Sequence, residues 1–253
     1  MKSKSLLFVL LLAVVICQST SDIVSVDGRK ITQQDVSYRL AIDKAYGNDQ
    51  SGTTEVVLQL IMQELREVIA DKEQIFITDS MIEQEALRID METKAPGILA
   101  KVKAVFTDHH EYLKHYVRPV LVEKSLQEEF FFDTLHQKEP LRIINEAFTR
   151  SAGKPSNPDS TLNVFEPDNE QLKYYENSAE KGIGEDKYSY FFLIEKNGKK
   201  TVYLVPKMDY TEWLHTEALK VPVHVYDEEL RKKLLTRTRN SEFWQKILSK
   251  ERT

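Results

Sequence analysis

The sequence predicts an α+β chain that is mainly α. Two observations carry this. Apolar residues recur at three- and four-residue steps along most of residues 33–150, the period of a helix with one buried face. A shorter stretch, residues 188–205, instead alternates around Asn197-Gly198, the pattern of a β-hairpin. Composition fits: 41% hydrophobic residues with 11 Phe, 11 Tyr and 2 Trp are too many for wholesale disorder, and 8 Gly and 8 Pro are too few for a linker-like polymer.

The first elements lie at the N-terminus. Lys2 and Lys4 precede an uninterrupted apolar run over residues 6–16, followed by Cys17, Gln18, Ser19, Thr20 and Ser21. This is the layout of a secretory signal peptide, assigned here to residues 1–21, and it is shorter than the roughly 20 apolar residues a spanning helix needs. Cys17 raises a lipid-anchor reading, but Ile16 stands where a lipoprotein signal has a small residue. The expected protein is exported, has no transmembrane segment, and loses its single cysteine with the signal. That cysteine count also excludes a disulfide scaffold and a multi-Cys zinc site.

Residues 22–31 read as two short β segments around Asp27-Gly28. Thr32, with Asp35 three residues on, opens a helix that Gly47-Asn48 ends. Val57, Leu58, Ile61, Met62, Leu65, Val68 and Ile69 mark the next helix, and Ile75-Phe76-Ile77 link it to one opened by Thr78-Asp79. Pro96-Gly97 break the chain before a short helix over residues 98–106. Asp108 caps a long helix over 109–135, whose apolar stripe rotates by one position after Pro119, so a kink is expected. Pro140 begins another helix, to about Arg150. Residues 153–187 are broken by Pro and Gly and hold one helix near 169–180. The hairpin at 188–206 follows, then an extended piece over 221–226, a helix capped by Asp227, and a last helix carrying Phe243, Trp244, Ile247 and Leu248. The expected division is a helical module over 22–152 and a C-terminal segment over 153–253.

Few residues suggest chemistry. His110-Glu111 and His115 raise a zinc-hydrolase reading, but histidines five apart sit about 140° apart on a helix and do not share a face. There is no nucleophile elbow and no Gly-rich phosphate loop, so no enzyme, cofactor or metal is predicted. A formal charge of −5, or −7 after loss of Lys2 and Lys4, disfavours nucleic acid as a partner. The aromatics are more suggestive. Tyr112 and Tyr116 are one helical turn apart, and Phe130, Phe131 and Phe132 cannot all face one core because successive residues diverge by about 100°. Two readings stay open for these five: packing against the C-terminal segment, or an apolar groove that binds extended polypeptide.

The segment VSVDGRKITQQDVSYRL resembles the opening of SurA/PrsA-type periplasmic foldases, through Val26-Asp27-Gly28 and Lys30-Ile31-Thr32. The stretch VVLQLIMQELREVIADKEQIFITDSMIEQEA, with its link Ile75-Phe76-Ile77-Thr78-Asp79, and HYVRPVLVEKSLQEEFFFD are similar to later helices of that chaperone module. The likeness covers residues 22–135. It implies a SurA N-terminal-like helical module with a small β-hairpin or sheet completed by the C-terminal segment. It also implies ATP-independent capture of unfolded or extended polypeptides in the bacterial periplasm, with outer-membrane or secreted proteins as clients. The chain departs from the family in lacking the histidine strand and the Gly-Gly stretch of the parvulin domain, so prolyl isomerase activity is not carried over. Two other readings remain: a dedicated envelope assembly partner, and a metal-dependent hydrolase.

Overall fold

Asp27 and Gly28 both adopt positive φ, 50° and 82°, which is the type I′ turn that joins two antiparallel strands without splaying them. That turn starts the fold in the computed structural model, which describes residues 21–151, 162–179, 182–196 and 198–249. The signal-like segment, Cys17 and Asn197 lie outside the described residues.

Strand β1 (Asp22–Val26) pairs with β2 (Arg29–Thr32) on one side and with β7 (Val223–Val225) on the other, both antiparallel. Alternation places Val24, Val26 and Ile31 inward, where they are fully buried. Helix α1 (Gln33–Ala45) begins with the expected capping box: Thr32 N–H donates to Asp35 at 2.7 Å and Asp35 N–H to the Thr32 hydroxyl at 3.3 Å. Helix α2 (Thr53–Lys72) buries Val57, Ile61, Leu65 and Val68, as its period requires. Helices α3 (Asp79–Glu92) and α4 (Pro96–Lys103) follow, Pro96 supplying the preset first turn of α4 rather than only ending what precedes it.

The long helix is three pieces in line: α5 (His109–Tyr112), a π-helical turn (Leu113–Val117) and α6 (Arg118–Phe132). Pro119 explains the middle piece. It has no N–H for the carbonyl four residues back, and its ring crowds that carbonyl, so the preceding turn widens by one residue. One extra residue rotates the apolar stripe by about 100°, the shift visible in the sequence.

Helix α7 (Lys138–Ser151) lays Ile144, Leu141 and Phe148 on a four-stranded antiparallel sheet of order β3-β6-β5-β4. Its strands are β3 (Asn163–Phe165), β4 (Gly184–Glu185), β5 (Ser189–Lys196) and β6 (Lys199–Pro206), with α8 (Asn169–Ser178) between β3 and β4. The β5–β6 hairpin is the expected one; β3 and β4 were not foreseen. Helix α9 (Tyr210–Ala218), also unforeseen, leads to β7, then α10 (Glu228–Arg237) and α11 (Glu242–Ser249).

The chain forms two compact units. One comprises the residues up to Glu123 together with those from His215 onward, and the other runs from Lys124 to Leu214. These borders differ from a split at residue 152. The reason is that β7 closes the β1–β2 sheet and α10 packs on α2, which commits the last forty or so residues to the first unit. Each unit has its own core, one around Ile42, Ile82, Val102, Phe106 and Val117, the other around Ile144, Tyr190, Phe192 and Val205. Among the described residues no helix is long and apolar enough to cross a membrane.

Candidate functional site

Burial sorts the five aromatics. In the first unit Tyr112 is 2% exposed, set between Phe106 at 5.9 Å and Tyr116 at 5.5 Å, and burial pushes its phenol up to about 12. In the second unit Phe130 is 1% exposed, against Trp213 at 4.9 Å and Tyr210 at 5.6 Å, and Phe131 is buried beside Tyr188 and Tyr210. These three are packing residues. Phe132 is 60% exposed, so the three consecutive phenylalanines diverge as helix geometry demands. Tyr116 is half-buried in the first unit. The tyrosines and phenylalanines thus belong to different units.

The C-terminal end of α6 is fixed within the second unit by two buried polar side chains. Gln137 donates to the Phe130 carbonyl at 2.9 Å and accepts from Met208 N–H at 2.9 Å. Lys207, its side chain wholly buried, donates to the Phe131 carbonyl at 2.8 Å and lies over the rings of Phe132 and Tyr190. A helix end leaves such carbonyls unpaired, and a cation there also meets the negative pole of the helix. Burial holds the Lys207 amine below its usual value.

Around Tyr116 the first unit has a groove. Leu58 and Met62 of α2, Tyr116 of the π turn, Pro119 and Val120 of α6, and Trp244 of α11 line a cavity of about 450 Å³. Its rim is polar and internally paired: Arg66 meets Glu123 at 3.1 Å, and Arg39 donates to Gln59 at 2.8 Å. Val120 is 41% exposed, so an apolar floor with a polar edge faces outward, and on that edge Arg66 uses Nη2 on Glu123 while its buried Nε has no hydrogen-bond partner among the described residues.

A second cavity of about 400 Å³ shares Arg39, Gln63 and His115 with this groove. Here Arg118 grips the buried Glu67, its Nε and Nη2 donating to Oε1 and Oε2 at 2.9 Å each. His115 places Nε2 at 2.9 Å from Glu111 and Nδ1 at 3.4 Å from Asp35. Burial outweighs these carboxylates and lowers the imidazole's pKa. Glu64 also faces this cavity, pushed up to about 7 by burial and by the neighbouring Glu67.

His115 therefore turns into a cleft while His110 lies exposed on the surface, so the pair does not converge. Among the described residues no group of three or more His, Cys, Asp or Glu side chains could hold a metal ion. The acids Glu64, Glu67 and Asp71 were not singled out from the sequence. Their spacing along α2 was the available signal, since it sets three carboxylates on one face beside an apolar stripe.

The two cavities together present an apolar floor beside a charged wall. Comparison with protein-family models, with curated proteins and with solved structures finds no match to this chain.

Proposed function

We propose that the protein is an exported, ATP-independent chaperone-like protein that reversibly binds extended or unfolded polypeptide, with no catalytic step. The observation that carries this reading is the groove lined by Leu58, Met62, Tyr116, Val120 and Trp244. Aromatic and aliphatic walls gain free energy by removing apolar client surface from water, about 25 cal/mol per Å², and demand no fixed sequence of the client. Met62 suits that role because its flexible thioether adapts to different partners. The signal-like N-terminus and the resemblance over residues 22–135 support export and a client in the cell envelope.

The test is suppression of aggregation. The protein, without nucleotide, should delay light scattering by several unrelated denatured proteins, and Val120→Glu should lose that effect while melting at the wild-type temperature. Tight binding to one envelope protein with no effect on aggregation would replace this reading with that of a dedicated assembly partner.

A further inference from the structure

The second cavity of the first unit contains a carboxylate whose charge its neighbours only partly compensate. Glu64 faces the cavity, yet among the described residues no hydrogen bond or ion pair reaches it. Of the cations that line the cavity, Arg29, Lys30, Arg39 and Arg118 are engaged elsewhere, and Lys114 lies exposed. Arg118 is held by both oxygens of Glu67. Arg29 pairs with Asp71 and stands 3.9 Å from Glu67. Arg39 lies 3.2 Å from Asp43, and Lys30 lies 2.6 Å from Asp22.

The field at Glu64 comes from every side of the cleft. Glu67 and Asp35 repel its charge, while Arg29 of β2 and Arg118 of α6 partly offset them. His115 and Glu111 are turned toward each other, and Lys114 stands at the margin. Removal from water remains the largest influence, and it holds Glu64 half-protonated near neutral pH. A cation entering from outside would favour the ionised form of this carboxylate.

We propose that this cleft is a subsite for the guanidinium group of an arginine side chain, carried by the same polypeptide that occupies the adjacent groove. The inference rests on the groove reading, and the two cavities share Arg39, Gln63 and His115 as walls, so one extended chain can enter both. Guanidinium is favoured over ammonium on three grounds. It is the more weakly hydrated cation and so enters a dry cleft at lower cost. Its planar fork fits a carboxylate. Tyr38, which lines the same cavity, offers it an aromatic wall.

The test uses two fluorescent ten-residue peptides, each with two aromatic residues. One has a central arginine and the other has citrulline, its uncharged isostere. Anisotropy at pH 8 should give at least tenfold tighter binding of the arginine peptide to the wild-type protein. In Glu64→Gln the two peptides should bind alike, and the wild-type preference should collapse at pH 5, where Glu64 is protonated. Equal affinities in the wild type at pH 8 would overturn the subsite and leave the groove standing, as would a preference that survives Glu64→Gln or pH 5. If neither peptide binds, the groove reading fails and the subsite fails with it. A thermal melt of Glu64→Gln at or above that of the wild type verifies that the comparison is between folded proteins.

Discussion

Glu67 of α2 and Arg118 of α6 form a two-pronged ion pair, both prongs 2.9 Å long, with only 5% of Glu67 left exposed. Removing one partner strands the other charge, whereas removing both does not. Arg118→Met should therefore destabilise the first unit by about 2–4 kcal/mol, the residual help of Arg29 keeping the loss below that of a lone buried charge. Glu67→Met with Arg118→Met should recover most of it. The two tryptophans separate the units, Trp213 in the second and Trp244 in the first. Urea denaturation followed by fluorescence in a Trp213→Phe background reads the first unit alone, and equal midpoints for Arg118→Met and its parent would contradict the prediction.

Phe130 and Phe132 are two residues apart and should respond very unequally. Phe130→Ala empties a site closed by Trp213, Tyr210 and His136 and should cost about 3–5 kcal/mol. Phe132→Ala removes a largely exposed ring and should shift stability by no more than about 0.5 kcal/mol. Thermal melts of the two variants give the comparison directly.

Gly184 is held by close approach rather than by an unusual backbone angle. A Cβ there would stand 2.5 Å from Cε2 of Phe191 and 2.8 Å from the Ser178 carbonyl oxygen, and Phe191 is itself fully buried. Gly184→Ala should destabilise the second unit by about 1–3 kcal/mol through overpacking, while Gly97→Ala, with open space around it, should be neutral or mildly favourable. Denaturation of Gly184→Ala read through Trp213 in a Trp244→Phe background, and of Gly97→Ala read through Trp244 in a Trp213→Phe background, separates the two cases.

Glu64 imposes a sign on the pH dependence of the first unit. Its carboxyl titrates near 7 when folded and near 4.5 in the unfolded chain, so between these values the folded state holds the extra proton. Stability from this group is thus fully present below about pH 4.5 and is lost as pH rises through 7. At pH 8 Glu64→Gln should raise stability by about 1–2 kcal/mol, allowing for solvent at the cavity mouth, and at pH 4 it should do little. Melting curves of the two proteins from pH 4 to 8 should converge toward the acid end; parallel curves would refute the assignment.

Much of the helical frame was legible because local chemistry and packing agree in it. Thr32, Asp108 and Asp227 cap the helices whose starts they mark in the sequence, and of the α2 stripe Val57, Ile61, Leu65, Val68 and Ile69 are buried while Leu58 and Met62 line the groove. Strands β3 and β4, three and two residues long, hold no periodicity of their own and exist only through pairing with β6 and β5. Helix α9 was readable but passed over: Asp209 accepts from Glu212 N–H at 2.9 Å, the capping pattern already used elsewhere. Among the aromatics, sequence showed that the three phenylalanines must diverge, but which one faces outward is decided by Trp213 and Tyr210, far along the chain. The cleft was less visible, since Glu64 and Glu67 look like a solvated face until β2 and α6 close over it.

The β1–β7 pairing joins Val24 to Val225, about two hundred residues apart in the chain. Lys124–Leu214, by contrast, is continuous. During synthesis the inserted segment can reach its native arrangement while the earlier one still lacks its closing strand and carries β1 with an unpaired edge. Completion waits for the final helices, so the order of maturation runs opposite to the order of translation, and a chain stalled or clipped before residue 220 exposes Val24 and Val26 as a sticky, aggregation-prone edge.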